Sequence, residues 1–110
     1  MSQLVKKYLP VFREFSKLPN ESKTEVLKNE EFVKCISEVC TNVLKGNVPL
    51  KSAHKHKLSR FKNIVRAIGR KKNKLGLKKK RQMLIQKGGS FLPILLSIVA
   101  PIISGLISRQ

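Results

Sequence analysis

Residues 91–107 read FLPILLSIVAPIISGLI, 17 positions without a charge. Such a run sits at the lower limit for a helix that crosses a bilayer, and it serves equally as a helix that completes a protein core. Its destination decides the fold. Ser90 is placed to cap a helix here, and Pro93 falls in the first turn, where proline is tolerated. Pro101 removes one backbone hydrogen bond and leaves the Ser97 carbonyl without its donor, which predicts a kink. Ser97, Pro101, Ser104, Gly105 and Ser108 recur at helical spacing as a narrow small or polar strip, suited to close helix packing or a shallow interfacial pose. Phe91, Leu92, Leu95, Leu96, Ile98, Val99, Ile102, Ile103 and Leu106 are expected to meet either a membrane or other helices.

Immediately before this run the character reverses, in Lys78, Lys79, Lys80 and Arg81 and then Lys87-Gly88-Gly89. Over 110 residues, 24 Lys and Arg against 6 Asp and Glu give a formal charge of +18. All six acids (Glu14, Glu21, Glu25, Glu30, Glu31, Glu38) precede residue 39, whereas residues 51–89 hold fifteen bases and no acid. A solvated charged surface mixes both signs, so an acid-free block of this size points to a polyanionic partner. The candidate nucleic-acid contacts are Lys55, Lys57, Arg60, Lys62, Arg66, Arg70, Lys71, Lys72, Lys74, Lys78, Lys79, Lys80, Arg81 and Lys87. If half of the block meets phosphate, counterion release predicts strong, sequence-indifferent binding with a log-log salt slope of roughly −6 to −7 on duplex DNA. The same lysine runs fit a nuclear import signal. Phe61, the one aromatic in this block, is expected to pack and not to stack on bases, and no base-reading motif is present.

No Gly-rich phosphate loop, His-Glu metal motif or nucleophile-elbow serine occurs, so neither an enzyme nor a cofactor is expected. Cys35 and Cys40 lack further ligands at metal spacing and read as two buried thiols. His54 and His56, two apart, do not share a helix face and are expected to face solvent.

Along the chain the period is helical throughout, which predicts an all-α protein. Residues 1–46 form an amphipathic helical module, 47–89 a basic segment, and 90–110 an apolar C-terminal helix kinked at Pro101. Leu4, Val5, Tyr8, Leu9, Phe12 and Phe15 define a first helix over 3–16 that Pro10 kinks or splits. After Leu18-Pro19, Asn20 or Ser22 is expected to cap a short helix carrying Val26 and Leu27. Asn29 caps the clearest helix, 30–45, with Glu30 and Glu31 in its first turn and Gly46 as its stop. Phe32, Ile36, Val39, Cys40 and Val43 form its apolar stripe, for which the first helix supplies an aromatic partner. Ser52 is expected to cap one basic amphipathic helix to Ile68, closed by Gly69, with Leu58, Phe61, Ile64, Val65 and Ile68 on one face. A last basic helix over 77–87 places Leu77, Leu84 and Ile85 on one side, and the acid-free region 71–87 as a whole is expected to order only against phosphate or another acidic surface.

The order basic run, Gly88-Gly89, Phe-Leu-Pro-Ile-Leu-Leu, Ala100, Ile102-Ile103 and Gly105 resembles the C-terminal part of the adenovirus core protein X, precursor of the mu peptide. It is also similar to small basic proteins of adenovirus-like Polinton (Maverick) elements. The resemblance covers roughly residues 78–107, with a weaker likeness over 52–68. It implies a virion component that binds and condenses double-stranded DNA and works in the virion and host nucleus, with Gly88-Gly89 where the maturation protease cuts the family. Gln86 departs from that pattern, which has an aliphatic residue there. Residues 1–46 have no counterpart in the core peptide and offer a site for a capsid protein or for self-association. Three readings follow: DNA condensation, with the tail anchored on capsid or on like tails; a membrane-active or tail-anchored protein acting through 90–107, since Phe-Leu-Pro openings mark short lytic peptides; or a tail that completes the core of the helical half.

Overall fold

The computed structural model describes residues 3–69 and 76–108, with side chains described outside 87–90 and 108. These residues are helical without strands: α1 (Gln3–Glu14), a 3-10 turn (Phe15–Lys17), α2 (Asn20–Leu27), α3 (Glu30–Leu44), α4 (Ser52–Ser59), α5 (Lys62–Gly69) and α6 (Leu77–Ser108). The expected all-α class is what the chain adopts.

Helix α3 starts and stops as its sequence requires. The Asn29 side chain accepts from the backbone N–H of Glu31 at 2.9 Å and of Phe32 at 3.4 Å, and Gly46 ends the helix at φ 77°, a conformation glycine adopts without steric cost. Asn29 also donates to the Tyr8 hydroxyl, which donates to Glu31, so the cap ties α1 to α3. The hydrogen bond from Lys7, then that from Tyr8, lowers the pKa of Glu31. A depressed carboxylate stabilises the fold above its unfolded pKa and loses that contribution as pH falls through the folded one. Replacing Asn29 with alanine should cost about 1 kcal/mol in a denaturant titration. An unchanged midpoint would show that solvent caps α3 equally well.

Phe32 is the aromatic hub: Tyr8 and Phe12 meet it edge-on at 5.6 and 6.0 Å, and Phe15 stacks at 6.0 Å. Pro10 lies within α1, on its exposed side, and does not split the helix, which runs from Gln3 to Glu14. Two expected caps shift by one or more residues. Pro19 and not Asn20 or Ser22 precedes α2, and Lys51 and not Ser52 precedes α4, each with extended backbone and no side-chain cap bond.

The basic helix expected over 52–68 is two helices. The chain turns at Arg60-Phe61, where Phe61 N–H bonds the Leu58 carbonyl at 2.9 Å and the Ser59 hydroxyl donates to the His56 carbonyl. That turn sets the Phe61 ring 5.4 Å from Phe91 while α5 lies along α3. The apolar face survives the break: Leu58, Phe61, Ile64, Val65 and Ile68 are all buried.

Gly69 does more than close α5. A Cβ built on it would lie 2.8 Å from backbone atoms of Cys40 and Thr41, so α5 meets α3 at backbone contact. There the Ser37 hydroxyl donates to the Ile68 carbonyl at 3.0 Å, and the Thr41 hydroxyl lies 2.6 Å from the Gly69 carbonyl. Two carbonyls that end α5 thus find donors on α3.

In α6 the arms Leu77–Gln86 and Phe91–Ile107 are bent by 105°, upstream of Pro93 and Pro101. The second arm is core. Phe91, Leu92, Leu95, Leu96, Val99 and Ile103 are fully buried and Ile98 nearly so, whereas Ile102 and Leu106 are half-buried. They join one hydrophobic cluster with Val5, Phe12, Phe32, Ile36 and Ile68, so the three compositional segments share a single interior. Ser97, Pro101 and Gly105 form the outer side, and the Arg13 guanidinium donates to the Ser104 hydroxyl. The strip expected to allow close helix approach therefore faces outward, and a Cβ added at Gly105 would meet nothing within 4 Å. No single helix among the described residues is long and apolar enough to cross a membrane.

Candidate nucleic-acid interface

The cationic side chains reach the surface because their apolar neighbours turn inward. On α4, α5 and the turn between them, burying Leu58, Ile64, Val65 and Ile68 leaves Lys55, Lys57, Arg60, Lys62 and Arg66 exposed. On the first arm of α6, Leu84 is fully buried and Leu77 half-buried, with Lys78 and Lys79 exposed. Through Leu77 and Leu84 the first arm of α6 packs as a helix against the rest of the chain. Ile85, expected beside Leu84, is 44% exposed, since its step around the helix from Leu84 carries it off the buried face. Arg70, Lys71, Lys72 and Lys74 lie outside the described residues, as do the side chains of Lys87, Gly88 and Gly89.

The block is not uniform. Lys55, Lys62 and Arg66 converge on one groove beside α3. Lys78 and half-buried Arg81 share a recess of about 150 Å³ with Glu30, so one acid stands at this end of the basic surface. Half-buried Lys80 donates to the Ser37 hydroxyl at 2.7 Å. It opens on a cavity of about 400 Å³ that Lys34 and Lys45 also line, together with Thr41 and Glu38. Lys34 and Lys45 were absent from the expected contacts because they belong to the charge-balanced half. Their signal was present, since 34, 38, 41 and 45 fall on one face of α3, opposite the apolar stripe.

Phe61 packs, as expected: it is 9% exposed, against Phe91, with the Arg60 guanidinium 5.7 Å above its ring. His54 departs from expectation, being half-buried with an Nδ1 that is shielded and finds no hydrogen-bond partner among the described residues. His56 is exposed. Cys35 and Cys40 are buried thiols, both pushed up to about 12 chiefly by burial, a state that suppresses the nucleophilic thiolate. Among the described residues no three His, Cys, Asp or Glu side chains are grouped to hold a metal ion. The surface can therefore neutralise phosphates and donate hydrogen bonds to them. Comparison with protein-family models, with curated proteins and with solved structures finds no match to this chain.

Proposed function

We propose that this protein is a non-enzymatic, sequence-independent binder of double-stranded DNA that neutralises backbone phosphates and condenses the duplex. The observation that carries the reading is the set of exposed bases on α4, α5 and the first arm of α6, in a sequence with no acid after residue 38. Packing of a DNA genome within a virion is the setting that the likeness of residues 78–107 to adenovirus core protein X suggests. A membrane role for residues 90–107 has a physical cost that the composition alone does not reveal: Phe91, Leu92, Leu95 and Leu96 would have to leave the protein interior before entering lipid.

A duplex titration over a range of salt tests the proposal. The expected log-log slope is about −6 to −7, close to one unit per phosphate contact. The triple substitution Lys57→Gln, Lys78→Gln, Lys79→Gln should reduce the slope by about 3, equally for unrelated sequences. Affinity that barely responds to salt would sink the reading. So would a triple variant with an unchanged slope.

A further inference from the structure

The groove that gathers Lys55, Lys62 and Arg66 has an apolar floor. Val43 and Leu44 close α3, Leu50 follows the Gly46 turn, and Leu58 and Val65 come from α4 and α5. Leu44 is 38% exposed, one of two large hydrophobic side chains left so among the described residues, and Val43 and Leu50 are only half-buried. No acid lines the groove among the described residues; its charged rim is wholly cationic.

Size and charge together select an occupant. The groove measures about 190 Å³. Sites for small molecules and cofactors begin at about 300 Å³ and enclose most of the ligand. This one is too small for that, and suits a few aliphatic side chains inserted from a backbone that stays outside. DNA offers the rim its phosphates but has little to fill the floor. A helix with apolar anchors at i, i+3, i+4 and i+7 fills such a floor, and Asp or Glu beside the anchors meets the rim.

We infer that this groove docks an acidic amphipathic helix of a partner protein, making the chain an adaptor as well as a polycation. The inference rests on the groove and not on the DNA reading. Because Lys55, Lys62 and Arg66 serve both surfaces, peptide and duplex compete for them.

Fluorescence anisotropy on the full chain, with a labelled acidic peptide carrying leucines at those four spacings, tests this. A peptide of identical composition with its leucines dispersed should bind at least tenfold more weakly. Leu44→Asn, which adds no charge to the rim, should weaken the patterned peptide at least tenfold while duplex affinity and melting temperature stay within twofold and a few degrees. Leu44→Lys, which keeps the cationic rim, should weaken it as well. Equal binding of both peptides, or indifference to either Leu44 substitution, would overturn the inference in favour of unspecific charge attraction. Vesicles of phosphatidylserine and phosphatidylcholine provide the remaining arm: Leu44-dependent binding to them, without peptide binding, would reassign the groove to lipid.

Discussion

Ending the chain after Gly89 should abolish cooperative folding. The deletion removes Phe91, Leu92, Leu95, Leu96, Ile98, Val99 and Ile103 from the interior and uncovers Phe61 and the inner faces of its neighbours. At about 1.5–3 kcal/mol for each large apolar side chain buried, the seven contribute roughly 10–20 kcal/mol before entropy is subtracted. Net stabilities of small domains lie at about 5–15 kcal/mol, so what is left does not fold alone. Circular dichroism should record loss of the thermal transition, and gel filtration an expanded or associated chain. A truncated protein that still melts cooperatively near the full chain's temperature would contradict the central place given to the second arm of α6. A cut is a different perturbation from a deletion: a chain nicked after Gly89 keeps both pieces and should elute as one body until urea separates them.

Gly69→Val should be the most damaging single substitution where α5 crosses α3. Intrinsic helix propensity would favour replacing a helical glycine, by about 1 kcal/mol for alanine. Against that stand backbone atoms of Cys40 and Thr41 only 2.8 Å from the new Cβ, which cannot rotate away as a side chain could. The helices must separate, stretching the bonds from Ser37 and Thr41 to the last carbonyls of α5. Overpacking typically costs about 1–3 kcal/mol; alanine should fall within that range and valine at or beyond its upper end. Urea titrations of the two variants check the order. An alanine variant more stable than the parent would mean that α5 slides at no cost, and that propensity and not close approach governs the site.

At α3 the structural signals were local, and the sequence disclosed them. Asn29, Glu30, Glu31 and Gly46 mark both ends of α3, and the spacing of Phe32, Ile36, Val39 and Cys40 marks its buried face. The break between α4 and α5 was not legible, because Leu58, Phe61, Ile64, Val65 and Ile68 keep a helical period straight across it. Only the demands of Phe91 and of the Gly69 crossing call for the turn. The tail's destination was hidden for a related reason: lipid and protein interior reward the same aliphatic side chains, and what decides between them is the uncovered area of α1, α3 and α5. At the candidate interface, exposure of Lys55, Lys57, Lys62, Lys78 and Lys79 followed from amphipathic patterning. The convergence of Lys34 and Lys45 with Lys80 did not, since it needs α3 and α6 to be brought together across 35 residues and more.

The core position of residues 91–103 also governs when this protein can fold. A ribosome extends the chain from its N-terminus, so the inner faces of α1, α3 and α5 exist before the helix that covers them has been made. Between Ile68 and Ile103 lie 35 residues of synthesis, roughly 2–7 s at about 5–20 residues per second. Throughout that interval a nascent chain to which the later bases of the block are still being added carries uncovered aliphatic surface close to ribosomal RNA, itself a polyanion. Folding is thus held back until residue 103 has been made, and a holdase that shields apolar surface during those seconds should raise the yield of native protein.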